Sequence, residues 1–127
     1  METAITREVE VAVEAFYLEE QSDREKELHA FAYRVRLKNH GAETVQLISR
    51  HWIITDSRGT VQEVKGIGVV GEQPLLEPGA EYEYVSGSQL HSPLGTMQGT
   101  YQMQNAAGEQ FDIQIPVFTL AVPGVLS

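Results

Sequence analysis

The chain has 127 residues, with 18 Asp and Glu against 9 Lys and Arg and a formal net charge of −9 at pH 7. One domain spanning 1–127 is expected, large enough to bury a core without covalent or metal support. The absence of cysteine excludes disulfides, thiolate zinc sites and thiol nucleophiles together, and the acidic balance repels nucleic acid and anionic membrane unless basic residues segregate on one face.

From the N-terminus, METAITREVEVAVEA shows early acidic residues and no long apolar run, so neither a signal peptide nor a membrane span is expected and a cytoplasmic protein is the default. A first strand is predicted over 7–17, where Val9, Val11 and Val13 fall on one inward face. The charged stretch 18–30 reads as a solvated connection, with at most a helical turn. Over 29–38, Phe31, Tyr33, Val35 and Leu37 fall on one face and Arg34, Arg36 and Lys38 on the other. The next strand, 44–55, is apolar at both parities, as in a central strand or one interrupted by a bulge. Shorter strands follow over 60–65 and 80–88, the latter with Tyr82 and Tyr84 inward. Strands over 96–104 (Met97, Gly99, Tyr101 and Met103 on one face) and 109–118 (Phe111, Ile113 and Ile115) complete the set.

Turn signals at 39–43, 56–59, 77–79, 92–95 and 105–108 separate these runs. About seven strands at this spacing predict an all-β, antiparallel β-sandwich of immunoglobulin or fibronectin type III kind. The strands at 7–17, 29–38 and 80–88 are expected in one sheet and the other four in the second, with Trp52 between the sheets.

Between the strands at 60–65 and 80–88, Gly66, Gly68 and Gly71 spell GxGxxG. That spacing binds pyrophosphate when the turn leads into a helix, whose free N–H groups and dipole hold the anion. Pro74 and Pro78 forbid a regular helix here, no βαβ unit is present, and Lys65 is outnumbered by Glu63, Glu72 and Glu77. A nucleotide or polyphosphate site in this loop is therefore the alternative reading. The leading one is a partner-binding loop comprising Gly66, Ile67, Gly68, Val69, Val70 and Gly71, with Val69 and Val70 as anchors.

The segments SRHWIITD (49–56), VQEVKGIGVVGEQPLLEPG (61–79), EYVSGSQL (83–90), PLGTMQGTYQM (93–103) and FDIQIPVFTL (111–120) resemble the ApaG family, and the resemblance runs over about residues 5–122. It implies a fibronectin type III-like sandwich. Bacterial members are linked genetically to cobalt tolerance, magnesium efflux and a neighbouring diadenosine tetraphosphate hydrolase. Related domains in eukaryotic F-box proteins and in a polymerase-interacting protein look like recognition modules. No catalytic residues come with the resemblance. Many members carry cysteine where this chain has Ser88, so no thiol chemistry transfers.

Other candidate chemistry is thin. His29, His40, His51 and His91 lack the i, i+2 spacing that places two metal ligands on one strand face, and neither GxSxG nor HExxH is present. In Arg50-His51-Trp52, adjacent side chains point oppositely unless a bulge intervenes. Trp52 is expected in the core, with Arg50 as a structural hydrogen-bonding residue. The stripe Arg34, Arg36 and Lys38 is expected to pair with Glu8, Glu10 and Glu14 on one flanking strand and Glu81 and Glu83 on the other rather than to meet nucleic acid. The expected function is thus a non-enzymatic, cytoplasmic interaction module with an unidentified protein partner, no cofactor and a link to cobalt or magnesium homeostasis.

Overall fold

The computed structural model describes residues 1–125. Nine strands form two antiparallel sheets: β1 (Glu2–Thr6), β2 (Val9–Tyr17), β3 (His29–Asn39), β4 (Val45–Asp56), β5 (Val61–Ile67), β6 (Leu75–Leu76), β7 (Glu81–Leu90), β8 (Leu94–Asn105) and β9 (Gln110–Ala121). One sheet has the order β1-β2-β3-β7. The other runs β5-β4-β8-β9, with β6 pairing β4 beyond the end of β5. Each of the seven expected strands is present in its expected sheet. The connection after β2 contains a three-residue 3-10 turn, Glu19–Gln21.

Two strands add to the sequence expectation. β1 is mostly exposed and joins β2 through Arg7 and Glu8, both at positive φ (48° and 65°). A two-residue hairpin turn of this geometry usually announces itself with Asn or Gly, and here that signal is missing. β6 has only two residues, between Pro74 and Pro78.

The inward faces follow the alternation. Val9, Val11, Val13, Phe31, Val35, Leu37, Met97, Tyr101, Met103, Ile113 and Ile115 are all buried. Two bulges adjust the pattern. In β4, Leu47 opposes Met103 but Ser49 opposes Gln102, so Ile48 is the extra residue. Beyond it Arg50, Trp52 and Ile54 oppose Tyr101, Gly99 and Met97 and share their inner face, whereas His51 turns outward. In β9, the register shifts between Met97–Phe118 and Gly99–Ile115 pairs, which lets the strand continue inward with Phe118 and Leu120 past Pro116. Pro116 is tolerated because β9 is an edge strand.

Outside, Arg34 and Lys38, two of the three residues of the basic stripe, are paired as their neighbours suggest. Arg34 lies 3.4 Å from Glu14 and 3.2 Å from Glu83, and Lys38 3.8 Å from Glu81. Such exposed pairs contribute about 0–1 kcal/mol each.

Inside, Tyr84 of one sheet and Tyr101 of the other join hydroxyl to hydroxyl. Burial pushes both phenols above the ordinary tyrosine range, so both stay protonated while the fold is intact. A folded-state value raised above the unfolded one leaves stability unaffected below about pH 10 and erodes it as pH rises beyond. An alkaline absorbance titration should therefore show these two phenols ionising together with loss of the near-ultraviolet circular dichroism. Ionisation of all five tyrosines with the fold retained would contradict this.

The two long sides of the sandwich differ. On one, β1 and β9 meet: the amide of Gln114 donates to Thr6 Oγ1 at 3.1 Å, and Arg7 pairs with Glu109 at 3.0 Å while lying over the Phe111 ring. On the other, the edge strands β5 and β7 stand apart.

Candidate functional site

The glycine segment begins where β5 ends. The bulge at Ile48 turns its carbonyl outward, where it accepts from the Gly68 amide at 2.8 Å and from Gln73 Nε2 at 2.9 Å. Val69 and Glu72 exchange both backbone hydrogen bonds, at 2.8 and 2.9 Å, across Val70 and Gly71. Those two residues have φ of 44° and 82°, the signature of a type I′ reverse turn.

Each glycine of the motif has its own structural reason. At Gly66 a Cβ would come within 2.7 Å of the Arg50 guanidinium, which lies against it. At Gly68, with φ +66°, a Cβ would overlap the Glu72 carbonyl. At Gly71 only the left-handed φ matters. The chain after the turn is extended, and the amides of Gly68, Val69 and Glu72 already donate to carbonyls. The GxGxxG spacing thus serves a hairpin turn riveted to a β-bulge.

Within the expected loop the side chains separate. Ile67 and Val70 are 77% and 56% exposed, while Val69 is 1% exposed and belongs to the core. Of the two expected anchors, only Val70 is on the surface. The segment as a whole runs along the sheet edge toward the end of the sandwich that carries the 39–43 turn. Its second half does reach that end: Asn39 Nδ2 donates to the carbonyls of Glu43 and Leu76, and β6 pairs Val45 and Gln46 of β4. Gly66–Gly71 itself sits further along, at the edge of the sheet against Ile48 and Arg50.

Arg50 joins this loop to a second feature. Its Nη1 donates to the carbonyls of Ile67 at 3.2 Å and Gly68 at 2.8 Å, the structural role expected for it. The same side chain lines a cleft of about 880 Å³ between β5 and β7. Tyr33 and Trp52 form its floor, with ring centroids 5.3 Å apart and an edge-on angle of 61°. Ser86 and Ser88 on β7 and Gln62 and Val64 on β5 form its walls. The Trp52 indole N–H is buried with no hydrogen-bond partner. The sequence reading missed this cleft, although a signal was present. On the inward parity of 80–88, Tyr82 and Tyr84 give way to Ser86 and Ser88, small polar residues that cannot close a sandwich.

The histidines are dispersed. His40 Nε2 contacts Glu10 at 2.6 Å, and this hydrogen bond holds the Glu10 carboxyl below its ordinary range. His51 faces Glu63 at 3.5 Å, His29 is buried, and His91 is at the cleft margin. Among the described residues no group of three or more His, Asp or Glu side chains could hold a metal ion, and no helix is long and apolar enough to cross a membrane.

A two-sheet antiparallel sandwich of fibronectin type III kind, open along one side and carrying a glycine hairpin at that edge, defines the class of this protein. The ApaG domain model matches residues 19–105, and the chain belongs to the ApaG family. It is 55% identical over 123 residues to Protein ApaG of Brucella suis, covering 97% of this chain and 95% of that one. Identity to Protein ApaG of Thiobacillus denitrificans is 55% over 119 residues, 94% of each chain. The crystal structure of the putative ApaA protein from Bordetella pertussis superposes with a TM-score of 0.89 at 50% identity, covering 92% of this chain and 95% of the other.

Proposed function

We propose that this chain is a non-enzymatic module that recognises a protein partner at the Ile67–Val70 edge and acts as an adaptor or regulator in divalent-cation homeostasis in the cytoplasm. The observation that carries this reading is Val70. A β-branched residue at φ +44° is strained, and Asn or Gly would occupy the position more cheaply. Yet an apolar side chain stands there 56% exposed, with Ile67 (77%) and Leu75 (61%) along the same edge of β4. Strain kept at an exposed apolar position supports a recognition surface. Rigid attachment through Ile48 and Arg50 lowers the ordering cost of binding. A cation phenotype then runs through the partner rather than through a metal held by this chain.

The alternative, nucleotide or polyphosphate binding at Gly66–Gly71, has less support because the amides such an anion needs are already bonded within the loop.

The experiment is Val70→Asn. Asparagine tolerates the left-handed backbone, so the variant should be more stable by about 1 kcal/mol, a rise of about 4 °C in thermal midpoint. It should also lose the proteins that wild type retains from native lysate. Val117→Asn, at another exposed apolar site (53%) on β9, should retain them. Undiminished retention by Val70→Asn would overturn the proposal.

A further inference from the structure

We propose that the cleft between β5 and β7 binds a small organic anion: one acid group on a flat aromatic or hydrocarbon body. This site is distinct from the Ile67–Val70 edge and does not depend on it.

Its size, about 880 Å³, lies within the range of small-molecule pockets. Its floor suits a flat apolar body, since Trp52 and Tyr33 meet edge-on and Ile54 and Met97 lie beside them. Its charge selects the acid group. None of the lining residues is acidic, although the chain carries 18 Asp and Glu against 9 Lys and Arg, and Arg50 is the only Lys or Arg there. The net charge of −9 disfavours polyanions at longer range, so a single negative charge fits best.

Two donors lack partners. Arg50 uses Nη1 for the carbonyls of Ile67 and Gly68, and among the described residues no acceptor bonds to its Nε or Nη2. A guanidinium with a free edge matches a carboxylate or sulfonate. The Trp52 indole N–H is also unpaired, in a residue only 2% exposed. Buried donors are rarely left without an acceptor, but this nitrogen has less than 1 Å² of accessible surface and is closed to the cleft, so contact with the acid group falls to Arg50. Ser86, Ser88 and Gln62 add hydroxyls and an amide on the walls.

The test uses 1-anilinonaphthalene-8-sulfonate, an aromatic monoanion, and N-phenyl-1-naphthylamine, the same frame without the sulfonate. Trp52 is the only tryptophan, so energy transfer from it reports occupancy directly. The sulfonate should bind saturably at one site per chain, about tenfold tighter than the neutral compound, as one charge-assisted contact requires. Ser88→Phe, which fills the cleft from β7, should abolish binding of both at an unchanged circular dichroism spectrum. Arg50→Gln should weaken the sulfonate about tenfold and spare the neutral compound. Because Arg50 also holds the glycine loop, Gln62→Glu serves as the second variant. It adds a negative charge to the wall without touching Arg50, and should give the same selective loss.

Equal affinity for the two compounds, or sulfonate binding that survives Ser88→Phe, would overturn the proposal. So would loss of binding in Val70→Asn, which would place the probe on the exposed edge instead.

Discussion

Val69→Asp should lower the thermal midpoint by about 15 °C, equivalent to about 4 kcal/mol, whereas Val70→Asp should leave it within about 2 °C of wild type. The two valines are adjacent and equally apolar, and differ only in where the hairpin turn aims them. Val69 is 1% exposed in the core, and both its N–H and its carbonyl pair with Glu72. An aspartate there is carried inward with the backbone and either buries a charge or takes up a proton. Its carboxyl is thereby pushed above the ordinary range, so the penalty grows as pH rises through the unfolded aspartate value. The loss should consequently be smaller at pH 4 than at pH 8. At Val70 the side chain faces solvent and aspartate tolerates the left-handed backbone. Thermal unfolding of both variants at the two pH values checks this. A Val69→Asp midpoint close to wild type would show that the turn detaches and that Val69 is no part of the core.

Trp52→Ala should cost about 3–5 kcal/mol, shifting the urea midpoint with little change in slope. Trp52 projects from β4 against Tyr33 of the opposite sheet and meets Phe118 and Tyr101 edge-on at 5.9 and 6.3 Å. Its removal leaves Tyr33 with Phe118, at 6.0 Å, as its remaining ring partner beside a cleft that is already open, so water rather than repacking fills the space. Trp52→Phe keeps an aromatic partner for Tyr33 and should recover more than half of the loss. It also removes the unpaired indole N–H. Equilibrium urea unfolding followed by far-ultraviolet circular dichroism measures both. A Trp52→Ala loss below about 1 kcal/mol would show that the sheets are held together elsewhere.

The core was legible wherever one face is buried and one is wet. β3 is the clearest case: Phe31, Tyr33, Val35 and Leu37 are inside, and Arg34 is outside between two glutamates. β1 was not legible because an exposed edge strand has no buried face to impose alternation, and its turn uses Arg7 and Glu8 in place of the usual turn residues. The glycine motif was legible in part. Its prolines removed the helix a pyrophosphate site needs, but nothing local told which valine would be buried. The cleft was written only as serines on an inward parity, a signal that gains meaning once β7 is known to be an edge.

The sequence by itself determined the all-β class, the membership of the two sheets, the inward position of Trp52 and the lack of a helix after GxGxxG. These follow from period-two alternation and from the backbone limits of proline, which act within a few residues. Only the tertiary structure decided that Arg50 faces inward, that Val69 is core while Val70 is surface, and that one side of the sandwich stays open. Each depends on a register or an edge, set by the bulge at Ile48 and by β5 and β7 lacking outer neighbours. Register is a property of paired strands, and a one-residue slip reverses every side chain beyond it.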